Sequence, residues 1–274
     1  MARCIVPEAD EVLDREFKVH ELGFVRLVDY LGGDARIVQS ARVSYGEGTK
    51  TVHEDAGLID YLLRNEHTSP FEQVVLTFHI KMPVFVARQW IRHRTARVNE
   101  ISGRYSVMKD EFWLPAPGDL ALQSKDNKQG RQAEPLPPDA AERVIAGLRD
   151  GQRAAYASYK ELVDSGLARE IARVNLPLSL YTEWYWQMDL HNLFRFLALR
   201  LDAHAQKEIR DYAAVILTLT EKVAPLATAA FRRHALGGAR LSSDELSALR
   251  SMLSGREAGL PEKELARLKE KLGI

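Results

Sequence analysis

The chain has 274 residues, 46% apolar and 28% charged, close to the average of soluble globular proteins, so disordered, collagen-like and membrane-spanning classes fit poorly. That length suits one large domain or two small ones, either of which can bury a sizeable core. Lys plus Arg equals Asp plus Glu at 38 each, so no overall field steers the molecule onto nucleic acid or acidic lipid.

In chain order, residues 22–31 (LGFVRLVDYL) read as a strand with some helical ambiguity, and Gly32-Gly33-Asp34 as a turn. Residues 54–65 show helical apolar spacing at Leu58, Tyr61 and Leu62. Residues 74–81 (VVLTFHIK) alternate as the clearest strand, and Pro83 stands where a helix over 84–94 would begin. Five prolines and a polar stretch make 115–138 a long surface loop. Helices follow over 139–165 and 168–174, then an aromatic strand over 181–187 (YTEWYWQ). Residues 190–200 and 204–224 are helical, Pro225 ends or kinks the second, and short amphipathic helix continues from Ser242. A few strands among many helices, without regular βα alternation, predict an α+β fold: a small mostly antiparallel sheet flanked by helices, with a long helical C-terminal half. No G-x-G-x-x-G follows a strand, and Gly46 to Lys50 lacks phosphate-loop spacing.

Cys4 is the sole cysteine, which removes internal disulfides and Cys-rich metal sites and makes a thiolate nucleophile in a cleft a poor expectation. The start carries no signal-like segment, and the longest apolar stretches, such as 213–220, are under half the ~18 residues of a membrane span, so a cytoplasmic protein is expected. The histidines show no metal-ligand spacing, and no metal is expected.

Arg outnumbers Lys 26 to 12, and five Arg (88, 92, 94, 97, 104) face one acid, Glu100, between 88 and 104. On a helix Gln89 and His93, like Arg88 and Arg92, would share a face. With Glu100, Ser102 and the Gly103 turn, this segment offers donors, an acceptor and free backbone N–H groups suited to a nucleotide. A solvated basic helix end uses the same residues equally well, and so does a non-catalytic nucleotide- or RNA-binding module. Two other places attract notice. One is His67-Thr68-Ser69-Pro70, where a lone histidine is more often structural. The other is Asp189 to Gln206, where Arg200 on a mostly apolar helix must meet a carboxylate or a ligand. Arg173 raises the same question.

Arg92-His93-Arg94, seven residues and then Ser102 resemble the R-H-R-x7-S signature of the flavin-dependent thymidylate synthases (ThyX). The likeness extends in order through SARVS (40–44), HTSPFE (67–72), REIARVNLPLSLYTEWYW (169–186) and LRLDAHAQKEIR (199–210). The resemblance implies reductive methylation of dUMP to dTMP, with 5,10-methylenetetrahydrofolate as carbon donor, NADPH as reductant and FAD as mediator. It needs no cysteine nucleophile, which fits the cysteine count. It implies dUMP contacts at Gln89, Trp90, Ile91, Arg92, Glu100, Ile101, Ser102, Gly103, Arg104, Arg173 and Arg200, with Arg200 as the catalytic group. Implied FAD contacts are His67, Ser69, Arg92, His93, Arg94, Glu100, Asp189, Leu190, His191, Arg195 and His204. Many members carry Asn-x-Arg and a further Asn where this chain has Asp189-Leu190-His191 and Arg195. The resemblance further implies a homotetramer with shared flavin sites. We expect a catalytic domain over 1–235 and a helical extension over 236–274.

Overall fold

A computed structural model describes residues 4–43, 52–125 and 128–274, with the side chains of 52–54 excepted. Ser44 of SARVS and the Gly46 to Lys50 stretch lie outside the described residues. The chain forms two compact units, Met1–Thr228 and Ala229–Ile274.

The first unit begins with α1 (Pro7–Asp10), β1 (Glu16–Val19), β2 (Gly23–Leu31), α2 (Asp34–Arg42) and α3 (Val52–Arg64). It continues with β3 (Val75–Pro83), α4 (Val84–Trp90), β4 (Arg97–Glu100), the hairpin β5 (Ala121–Gln123) and β6 (Arg131–Pro135), and α5 (Pro138–Asp164). After α6 (Arg169–Ala172) come β7 (Tyr181–Asp189), α7 (Leu190–Arg200), α8 (Lys207–Val223) and α9 (Pro225–Phe231). Five strands pair antiparallel in the order β1-β2-β3-β7-β4, the α+β arrangement read from the sequence.

The helical ambiguity of 22–31 has a structural cause. The β2–β3 register shifts between Leu27 and Asp29, so Leu27 opposes Phe78 and Tyr30 opposes Leu76, both buried. One extra residue in the strand gives apolar positions three apart, which imitates a helix. Gly32 then turns the chain with φ +79°, a conformation that a Cβ would strain.

The inner face of the sheet is apolar: Val25, Leu27, Leu76, Phe78, Ile80, Trp184, Trp186 and Met188 are all buried. The outer face is polar. Arg26 Nη2 meets His79 Nδ1 at 3.0 Å, His79 Nε2 meets Glu183 at 3.2 Å, and the His79 ring stacks on Tyr185 with centroids 4.8 Å apart. This two-sidedness is the alternation that made β3 legible.

Two expectations need correction. The helix that starts after Pro83 ends at Trp90, four residues short of 94, so Arg92-His93-Arg94 sits in a turn and the shared-face argument does not apply. The stretch 115–138 is not simply a loop: it contains a 3-10 turn (Pro117–Asp119) and the β5–β6 hairpin.

In the second unit, α10 (Ser243–Leu253) starts with a capping box between Ser242 and Glu245, and α11 (Glu262–Leu272) follows. Lys271 pairs with Glu245 at 2.5 Å, and Ala248 and Leu268 are buried. Among the described residues no helix is long and apolar enough to cross a membrane.

Candidate functional site

The arginine-rich turn is anchored by Trp90. Its indole is fully buried, stacked on Phe196 at 4.8 Å and edge-on to Trp184 and Trp186 at 5.7 and 5.4 Å. From this anchor the chain tightens: Arg92 N–H donates to the Gln89 carbonyl (3.4 Å) and His93 N–H to the Trp90 carbonyl (3.0 Å). The Trp90 side chain is therefore part of the core. Arg92 and Arg94 are exposed and carry no partner on their guanidinium groups among the described residues.

Helix α7 folds back along the inner face of the sheet and brings Arg200 to this turn. Arg200 Nε donates to His93 Nε2 at 3.0 Å, and Arg200 Nη2 donates to the Gln89 carbonyl at 3.3 Å. A guanidinium only donates, so His93 Nε2 must be the bare nitrogen and the imidazole proton sits on Nδ1. Burial, then the charges of Arg200 and Arg195, hold the His93 pKa down at about 4, so the ring is neutral. Burial also lowers the pKa of Arg200. The Gln89 side chain bonds that of Gln206, at the start of α8.

A second group surrounds an open cavity of about 180 Å³ lined by Glu100, Ile101, Gly103, Arg173 and Thr182 against apolar residues that include Val84, Met108 and Leu180. Gly103 is buried, and a Cβ there would stand a tight 3.1 Å from both Arg173 Cδ and Met108 Sδ, so a larger residue would make those two side chains shift. The Arg173 guanidinium has no ion pair or hydrogen bond among the described residues. Glu100 accepts from the Thr182 hydroxyl at 2.6 Å. Ser102 Oγ accepts the Arg104 N–H at 3.3 Å, and Arg104 pairs with Glu170 at the surface (3.4 Å). A larger cavity of about 410 Å³, around Trp113 and Glu208, is lined by none of the predicted site residues.

The remaining expected flavin residues are dispersed. Asp189 caps α7, its Oδ1 accepting the Asn192 N–H (2.9 Å) and its Oδ2 the Asn192 amide (2.8 Å). That cap explains why Asp replaces Asn here, since both serve as caps. Leu190 is fully buried, so its side chain belongs to the core. His191 is half-buried, Arg195 exposed without a partner, and Ser69 exposed. His67 packs edge-on to Tyr61 at 5.8 Å, and His204 pairs with Asp202 at 2.9 Å. Along β7, Thr182 and Asp189 are seven residues apart, about 23 Å at strand rise. The chain thus brings Gln89, His93 and Arg200 together, and Glu100, Gly103 and Arg173 together, but not the start of α7 with the Arg173 cavity. Thr182 escaped the sequence reading, and Gln206 entered it only as the end of the Asp189 to Gln206 stretch. Thr182 left one signal, a polar residue in the stripe that continues as Trp184, Trp186 and Met188.

Residues 26–226 match the family model described as "Thymidylate synthase complementing protein", and residues 239–273 match that of the "Thymidylate synthase ThyX C-terminal domain". The chain belongs to the flavin-dependent thymidylate synthase family. It is 65% identical over 260 residues to the flavin-dependent thymidylate synthase of Treponema denticola, covering 95% of this chain and 98% of that one. It is 58% identical over 236 residues to the Thermus thermophilus flavin-dependent thymidylate synthase, covering 86% and 85%. The crystal structure of the UMP/dUMP methylase PolB from Streptomyces cacaoi bound with 5-Br dUMP is similar in fold. Its TM-score is 0.72 at 32% identity, over 80% of this chain and 98% of that chain.

Proposed function

We propose that the chain methylates dUMP to dTMP with 5,10-methylenetetrahydrofolate as carbon donor, NADPH as reductant and FAD as its flavin. It works as a cytoplasmic homotetramer with a catalytic domain over 1–235 and a helical extension over 236–274. Two separate observations carry this reading: an unneutralised Arg173 that lines a cavity with Glu100, and an Arg200 held by a neutral histidine. Among the described residues Arg200 spends only its Nε–H and one Nη2–H, so its remaining N–H groups are free for a pyrimidine oxygen or ring nitrogen. A fixed positive charge there favours loss of the uracil N3 proton and raises electron density at C5, the carbon that gains the methyl group. Cys4 is not among the residues that line the Arg173 cavity, so activation by charge takes the place of attack by sulfur.

The exposed, unpartnered Arg92, Arg94 and Arg195 are the donor set that a flavin dinucleotide's pyrophosphate requires, and they would hold it. When bound, the flavin supplies hydride chemistry. The test is Arg200→Ala. Release of tritium from C5-labelled dUMP should fall at least ~100-fold, the scale of losing one electrostatic stabiliser. NADPH-driven bleaching of flavin absorbance near ~450 nm should stay within a few-fold. Equal loss of both half-reactions would overturn this role, and protein that cannot take up FAD would overturn the whole reading.

A further inference from the structure

Strand alternation puts Thr182 on the same face of β7 as Trp184, Trp186 and Met188. Thr182 is 3% exposed, and a hydroxyl so deeply placed costs free energy unless bonded. Its partner is not a backbone carbonyl. Glu100 opposes Trp184 in the β4–β7 register, which sets its carboxylate diagonally across from Thr182, and Thr182 Oγ1 donates to Glu100 Oε1 at 2.6 Å. That length is typical of a hydroxyl bonded to a charged carboxylate.

Two observations set this pair apart from a satisfied core threonine. The acceptor stands on an edge strand whose four residues are all exposed, where a glutamate would otherwise sample many rotamers. Both side chains also line the cavity that holds the unpartnered Arg173. Within the described residues Glu100 Oε1 is held by the hydroxyl, while Oε2 has no hydrogen bond or ion pair.

We propose that Thr182 is a positioning residue for substrate binding: its hydroxyl holds Glu100 in one rotamer, with the second carboxylate oxygen free to accept an N–H or O–H from the nucleotide. The proposal rests on the reading of this cavity as part of the dUMP site. Holding the acceptor beforehand removes an ordering cost from binding.

The experiment compares Thr182→Val and Thr182→Ser in the FAD-loaded enzyme. Valine keeps the shape and strand preference and deletes the donor; serine keeps the donor. In Thr182→Val the KM for dUMP should rise about tenfold, the scale of one hydrogen bond to a charged group, with a smaller fall in kcat. Flavin absorbance and melting temperature should stay near wild type. Thr182→Ser should return KM to within about twofold of wild type. On a Glu100→Gln background, where the charge is already gone, Thr182→Val should cost markedly less. Equal cost on both backgrounds, or a KM unchanged in Thr182→Val, overturns the proposal. Should valine fail to fold, Thr182→Ala with the same cycle carries the same expectations. A wild-type enzyme that does not bind dUMP would instead defeat the cavity assignment, a distinguishable result.

Discussion

His93 and Arg200 form a pair in which each defines the other. The arginine fixes the imidazole tautomer by donating to Nε2, and the neutral imidazole steers the guanidinium plane. The His93 pKa, about 4 against an ordinary 6.5, lies where the unfolded chain takes up the proton first as the pH falls. The stability that depends on neutral His93 is therefore complete above about 6.5 and is lost between 6.5 and 4. Replacing Arg200 by Ala removes a repelling charge and the donor to Nε2. The His93 titration followed by NMR should then move upward from about 4 toward 6.5. A titration that stays in place would mean that burial and Arg195 set it without Arg200.

At the scale of elements, one carboxylate ties the start of α2 to the first turn of α9. Asp34 Oδ2 accepts the Leu226 N–H at 2.8 Å and Oδ1 the Ala227 N–H at 3.0 Å, which satisfies N–H groups that the helix itself cannot. Asp34→Ala should cost about 1–2 kcal/mol in urea unfolding, the range for a lost cap, and Asp34→Asn less, because its carbonyl still accepts. Burial outweighs those two bonds and raises the Asp34 pKa from 3.8 to about 6. The folded state therefore keeps a proton that the unfolded chain releases, and this contribution to stability is lost as pH rises from 3.8 to 6. Asp34→Asn should flatten that slope, leaving the opposite trend of His93 in view. A slope unchanged in Asp34→Asn would show that the carboxyl titrates alike in the folded and the unfolded chain.

For the whole molecule, the separation along β7 decides what one chain can do alone. The Arg173 cavity lies at the Thr182 end and the start of α7 about 23 Å away, while β4 offers an edge strand exposed at all four residues. A site shared between subunits, as proposed above, would join what the single chain keeps apart. Light scattering on purified protein should give four times 30.9 kDa, and dilution or mild urea that dissociates the assembly should release the flavin at the same midpoint. A monomer that retains its flavin would refute the shared site.

Local pattern carried much of this protein. Alternation in 74–81 and 181–187, the prolines at 83 and 225 and the apolar spacing of 54–65 each report a face or a boundary that nearest neighbours impose, and the structure has those elements. The R-H-R-x7-S spacing likewise named the family before any coordinates. Long-range packing decided the rest. The helix after Pro83 stops early because Trp90 is drawn into a cluster with Trp184, Trp186 and Phe196, residues about a hundred positions away. Long-range contacts likewise bury the side chains of Trp90 and Leu190. They also brought Arg200 to His93, and Thr182 to Glu100. Periodicity records which face of an element is buried, but not which residue of a remote element will meet it there, and the chemistry of this site depends on those meetings.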